Sequence, residues 1–157
     1  MSSKLELQVE IANDEVTVKL IGIIDEDADF SKVTDLNLKK YIFDFDQIKS
    51  INSCGIRDWI NFINTIDDTA AIIYRNCTQV IIEQMGMVKG FVKDGAVIES
   101  LYAPYFCEDC DDEFKHHMKA SDVSDMKAPD VKCPKCSGTN TEFDAIESQY
   151  FNFLKQG

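Results

Sequence analysis

The chain has 157 residues, a formal net charge of -12 and a hydrophobic content of 45%. This composition predicts a globular protein with one core and room for a small appendage. The acidic charge argues against nucleic acid and against anionic membrane surfaces as partners. No segment reaches the roughly 20 apolar residues of a membrane span, and the first residues lack the apolar part of a signal peptide, so we expect a cytoplasmic location.

The first elements alternate between apolar and polar side chains. Residues 5–22 form two alternating runs around the turn "ANDE", which predicts an antiparallel hairpin. The run "YIFDF" predicts a short strand. The stretch "WINFINTI" that follows has apolar residues at helical spacing, which is typical of an amphipathic helix.

Further strands and helices alternate in the middle of the chain. "AAIIY" predicts a strand, "NCTQVIIEQMG" a helix capped by Asn76, and "GAVIESLY" a last strand. Strands alternating with helices indicate parallel neighbours. We therefore predict an α/β domain over residues 1–105, with a small mixed β-sheet and helices, followed by a small module over residues 106–157.

Four of the six cysteines form two C-x-x-C pairs in the predicted second module. These are Cys107, Cys110, Cys133 and Cys136. In a cytoplasmic protein, this pattern favours metal binding over disulfides. Two facing C-x-x-C turns give a tetrahedral four-sulfur site, which fits Zn²⁺ and leaves no coordination position open. The "CPKC" turn resembles the knuckle of zinc ribbons, although Gly138 comes one residue later than in the usual form.

Other interpretations of the cysteine pairs stay open. Iron also accepts four-sulfur geometry, and a redox dithiol or unligated cysteines are further alternatives. His116 or His117 is an alternative fourth ligand, although both are expected in an exposed loop between His116 and Lys132. The acidic charge of this module favours a structural or protein-contact role over nucleic-acid binding.

The stretch "SINSCGIRDW" joins the end of a strand to the start of a helix. Ligands and partners favour this edge of an open α/β sheet, and a helix N-terminus offers unpaired N–H groups. Asn52 or Ser53 can cap the helix, and Gly55 lets another backbone come close. Cys54 is predicted to be a small, partly buried residue, with a reactive thiol as the alternative.

Two stretches together resemble the STAS domain of bacterial anti-sigma factor antagonists. They are "GIIDEDADF", with Gly22 and Asp25, and "IKSINSCGIRDW". The resemblance covers roughly residues 5–103. It implies a non-enzymatic bacterial signalling protein whose partner is a kinase-like anti-sigma factor.

In that family the partner binds the turn and helix, and phosphorylates the hydroxyl residue before the glycine. The resemblance implies these partner-binding residues: Asp25, Asn52, Ser53, Cys54, Gly55 and Ile56. Cys54 occupies the phosphoacceptor position and Asn52 replaces the motif's Asp, so we expect a docking surface with a degenerate phosphorylation site. The alternatives are a redox or thiol-dependent protein using Cys54 or an iron-filled four-cysteine site, and a nucleic-acid-binding zinc-ribbon protein.

Overall fold

The structure, a computed structural model, describes residues 5–155 and contains two β-sheets. The strands are β1 (Glu6–Ala12), β2 (Glu15–Ile24), β3 (Lys40–Ile51), β4 (Ala71–Arg75), β5 (Val97–Ile98), β6 (Ser100–Cys107), β7 (Asp112–Lys119) and β8 (Thr141–Phe143). The α-helices are α1 (Ser53–Ile63), α2 (Gln79–Met87) and α3 (Glu147–Tyr150). The longest of these helices has 11 residues. None of the helices in residues 5–155 is long and apolar enough to span a bilayer.

The first sheet has five strands in the order β1-β2-β3-β4-β5. β1 and β2 form the predicted antiparallel hairpin, and the remaining neighbours are parallel. Buried and half-buried residues alternate along β2, because one face of this sheet covers the core. The mixed α/β architecture predicted from the sequence is confirmed.

Trp59 lies at the centre of the core formed by α1 and the first sheet. Its ring centroid lies 5.0 Å from that of Phe43 and 5.9 Å from that of Tyr74. Its indole N–H donates a hydrogen bond of 3.0 Å to the Phe91 carbonyl oxygen, which satisfies the only polar atom of a fully buried ring. The same carbonyl accepts the Tyr74 hydroxyl at 2.6 Å. This packing fixes α1, and with it the turn at its N-terminus.

The second sheet has three antiparallel strands in the order β7-β6-β8. His116 and His117 belong to β7. The prediction of a loop from His116 to Lys132 is therefore wrong for residues 116–119, which form the end of this strand. The strand escaped prediction because its composition is polar. Pairing with β6 places Met118 in the core, and that non-local contact stabilises β7.

The stretch "GAVIESLY" is divided between the two sheets. Val97 and Ile98 pair with β4 in the first sheet, whereas β6 begins at Ser100 in the second. One continuous core joins them, since Leu101 and Tyr105 of β6 belong to the same buried cluster as Trp59. The chain therefore changes sheets at Glu99, and the boundary predicted after Tyr105 falls inside β6.

Asn76 does not cap α2. The cap position is held by Thr78, and its side chain makes no capping hydrogen bond. Asn76 instead has a φ of 55°, the left-handed conformation that asparagine tolerates better than most residues. Its side chain connects strands of both sheets, as described below.

Candidate functional site

The four predicted cysteine ligands meet at one point. Their sulfur atoms all lie within 4.8 Å of one another. Two of the separations are 3.7 Å, between Cys107 and Cys136, and 3.8 Å, between Cys110 and Cys133. A tetrahedral ion with Zn–S bonds of about 2.3 Å requires sulfur separations of about 3.8 Å. The cluster therefore has the dimensions of a four-sulfur metal site.

Two tight turns aim these sulfurs inward. Asp111 follows the first pair and Ser137 the second, with φ angles of 51° and 59°. Ser137 therefore takes the left-handed conformation at the position where the resemblance to the zinc-ribbon knuckle implies a glycine. The Gly138 N–H lies 3.4 Å from the Cys136 sulfur, and the Lys135 N–H lies 3.4 Å from the Cys133 sulfur. N–H groups in this position stabilise thiolate charge.

The electrostatics of the cluster favour a bound cation. Backbone N–H groups, first that of Cys136 and then that of Lys135, lower the pKa of Cys133 to about 7. The opposite shift affects Cys110, whose pKa rises to about 12 because its thiol hydrogen-bonds to the Cys136 sulfur and is partly desolvated. Sulfurs this close share protons rather than all ionising. A metal ion bound by the four sulfurs would replace those protons.

Neither histidine belongs to the four-sulfur cluster. The His116 ring lies edge-on to Tyr105, with a centroid separation of 5.8 Å, and desolvation lowers its pKa. His117 hydrogen-bonds through Nε2 to the Asn76 Oδ1 at 2.7 Å. The four cysteine sulfurs would suffice for a tetrahedral metal shell without either histidine.

The predicted turn lies where β3 ends and α1 begins, beside the end of β2. Asn52 is the helix cap, and its Oδ1 accepts a 2.8 Å hydrogen bond from the Gly55 N–H. Its Nδ2 donates to the Glu26 carboxylate at 2.9 Å, which lowers the pKa of Glu26. Its backbone N–H donates to the Ile24 carbonyl at 3.1 Å. These bonds bring the residue after Ile24, Asp25, next to the turn.

Gly55 is buried against the end of β2. A Cβ at this position would lie 2.1 Å from the Ile24 carbonyl oxygen and 2.9 Å from the Asp25 nitrogen. Another backbone does come close here, as the sequence suggested, and it belongs to the same chain. The absence of a side chain at Gly55 therefore allows the start of α1 to pack directly against the end of β2.

The other predicted partner-binding residues lie at the surface of this edge. Asn52 and Ser53 are exposed, whereas Asp25, Cys54 and Ile56 are half-buried. We call these five residues the docking edge. They offer an amide, a hydroxyl, a carboxylate, a thiol and an apolar side chain within one small area.

A polar network between the two sheets had no recognisable sequence signal. The Asn76 Nδ2 donates to Asp44 at 3.0 Å, and the Ser100 hydroxyl donates to the Asn76 Oδ1 at 3.2 Å. The Tyr102 hydroxyl donates to Asp46 at 2.5 Å, and this bond raises the pKa of Tyr102 to about 12. The members come from separate elements, so only the folded chain brings them together.

The two candidate sites differ in the chemistry that they allow. A four-sulfur shell leaves no open position for substrate, which is typical of structural metal sites. The docking edge offers a contact surface.

No protein-family model matches the chain, and a search of curated proteins finds no match. The resemblance to STAS domains therefore stays a prediction.

Proposed function

We propose that the protein is a non-enzymatic regulatory protein that binds a protein partner at the docking edge and uses zinc to hold its C-terminal part together. The observation that carries the proposal is the set of four sulfurs with separations of 3.7 and 3.8 Å in two pairs. Zinc fits this shell without an open position. The C-terminal part is then a zinc-ribbon module that contributes stability and contact surface.

The docking edge supports the partner-binding half of the proposal. It lies at the carboxyl ends of the neighbouring parallel strands β2 and β3, at the N-terminus of α1, where α/β folds commonly bind ligands and partners. Asn52 and the buried Gly55 hold its backbone in place. A pre-organised surface loses little conformational entropy on binding. The proposed partner is a kinase-like anti-sigma factor, as the resemblance implies.

The proposed docking works without a phosphate on Cys54. A thiol stands where the STAS family has its phosphoacceptor hydroxyl. Ser53 carries an exposed hydroxyl one residue earlier, but that step rotates a side chain by about 100° around the helix start. We therefore expect constitutive rather than phosphate-switched binding.

Affinity capture from the native cell lysate tests the docking edge. The bait proteins are the wild type, Ser53→Arg and the control Ser121→Arg, which changes an exposed serine in the second module. Wild type and Ser121→Arg should recover a kinase-like ATPase. Ser53→Arg should lose it, because a long charged side chain then covers the contact surface.

Two results would contradict the proposal. One is recovery of the ATPase by Ser53→Arg at the wild-type level, which would place the contact elsewhere. The other is recovery of nucleic acid instead of an ATPase, which would favour the nucleic-acid-binding alternative. Circular dichroism of each bait establishes that the variants are folded before capture.

A further inference from the structure

A groove lies between α2 and the segment 145–152, and none of the docking-edge residues lines it. It encloses about 600 Å³. Met87 on one wall and Ile146 on the other are 76% and 60% exposed. Large apolar side chains facing each other across an open groove are typical of interaction sites.

The groove is formed in the isolated chain. Tyr150 packs into the core, and its hydroxyl donates to the Tyr102 carbonyl at 2.6 Å. The Asn152 Nδ2 donates to the Gly86 carbonyl at 3.2 Å. These bonds fix the segment 145–152 against α2, so a ligand meets walls already in position.

Among the residues that line the groove, the charged one is acidic: Glu83, which is also the one charged residue of α2. Residues 141–150 contain Glu142, Asp144 and Glu147 but neither Lys nor Arg. Burial, followed by the charge of Glu83, raises the pKa of Tyr150. The charge of Glu83 therefore acts on Tyr150, which also lines the groove.

We propose that this groove binds an amphipathic basic segment of a partner protein. The apolar side chains of that segment contact Met87 and Ile146, and a Lys or Arg side chain pairs with Glu83. An amphipathic helix laid into an apolar groove is a common mode of peptide recognition. A second copy of the chain fits poorly, because it would bring like charges together on a molecule whose net charge is -12.

The test uses the full chain and two synthetic peptides of Leu and Lys with the same composition. One peptide has Leu at helical spacing and the other is scrambled. Amide NMR spectra are recorded during titration at physiological salt, where general charge attraction is screened. We expect the helical peptide to shift the resonances of residues 82–87 and 145–152, and the scrambled peptide to leave them in place.

Paired variants separate the groove from general surface effects. Met87→Gln with Ile146→Gln should weaken binding of the helical peptide by about tenfold or more, since the apolar contact is lost. The control pair, Ile11→Gln with Val97→Gln, changes apolar side chains that are 55% and 56% exposed on other elements. It should leave the affinity unchanged.

Three outcomes would overturn the proposal. Equal binding of the scrambled peptide would show unspecific charge attraction, and the absence of binding would show that the groove does not accept a basic helix. A wild-type dimer in sedimentation that Met87→Gln with Ile146→Gln converts to monomer would show that a second copy covers the groove.

Discussion

Gly55 determines how closely α1 approaches the first sheet. Its missing side chain leaves room for the Ile24 carbonyl, which a Cβ would approach to 2.1 Å. That separation is far below any van der Waals contact, so a larger residue must displace the backbone. The docking edge therefore depends on a residue that a partner would not contact.

Gly55→Ala should destabilise the protein by about 1–3 kcal/mol, the usual cost of overpacking a core. The matched control is Gly86→Ala within α2, where the nearest atoms to an added Cβ lie 3.8 Å away. It should stabilise by about 0.5–1 kcal/mol through helix propensity. Urea unfolding of both variants measures the difference. A Gly55→Ala protein as stable as wild type would show that the close approach is absent.

Sequence reasoning at the residue scale succeeded where chemistry is local. Asn52 caps α1 as its identity suggests, and the two C-x-x-C pairs identified the sulfur cluster. The role of Gly55 was predictable only in part. A glycine in the first turn of a helix indicates a close approach, but which backbone approaches depends on β2, whose end is distant in sequence.

The strand β6 connects the sulfur cluster to the core. Leu101 and Tyr105 are buried in the common core, and Cys107 at the end of the strand is a metal-ligand candidate. The C-terminal Tyr150 and Phe151 pack into the same core. If the cluster binds the proposed zinc, its loss should therefore affect more than the cysteine turns.

Cys136→Ser should increase hydrogen exchange in β7 and β8 and in the C-terminal segment 147–154. The reason is that β6 transmits the loss of the metal to elements that pack on it. Cys54→Ser is the control, because Cys54 lies outside the sulfur cluster and should leave exchange unchanged. Hydrogen-exchange mass spectrometry measures the exchange of each segment in both variants. An increase confined to residues 107–110 and 133–138 would contradict this coupling.

The change of sheet at Glu99 could not be predicted from the sequence. Both halves of "GAVIESLY" have strand composition, and only pairing distinguishes them. The same limit applies to β7, where polar residues pair with an apolar strand. Local patterns indicate that a strand exists, whereas its sheet is determined by contacts distant in the sequence.

The whole molecule combines two sheets, one core and an acidic surface. Alternation and helical spacing predicted the five-stranded mixed sheet, because its elements follow one another along the chain. The common core was not predictable, since the C-terminal aromatic residues reach it from a separate segment.

A stretch as short as the second module is too small to be stabilised by its own core alone, and structural zinc binding contributes on the order of 10–16 kcal/mol.

Native mass spectrometry with elemental analysis tests the central claim most directly. The protein purified under reducing conditions should carry one zinc ion per chain. Substitution of any one of the four cluster cysteines by serine should remove that zinc. The control variant Cys54→Ser should retain it. A metal-free protein whose four cluster thiols all react freely, or one carrying stoichiometric iron, would contradict the account.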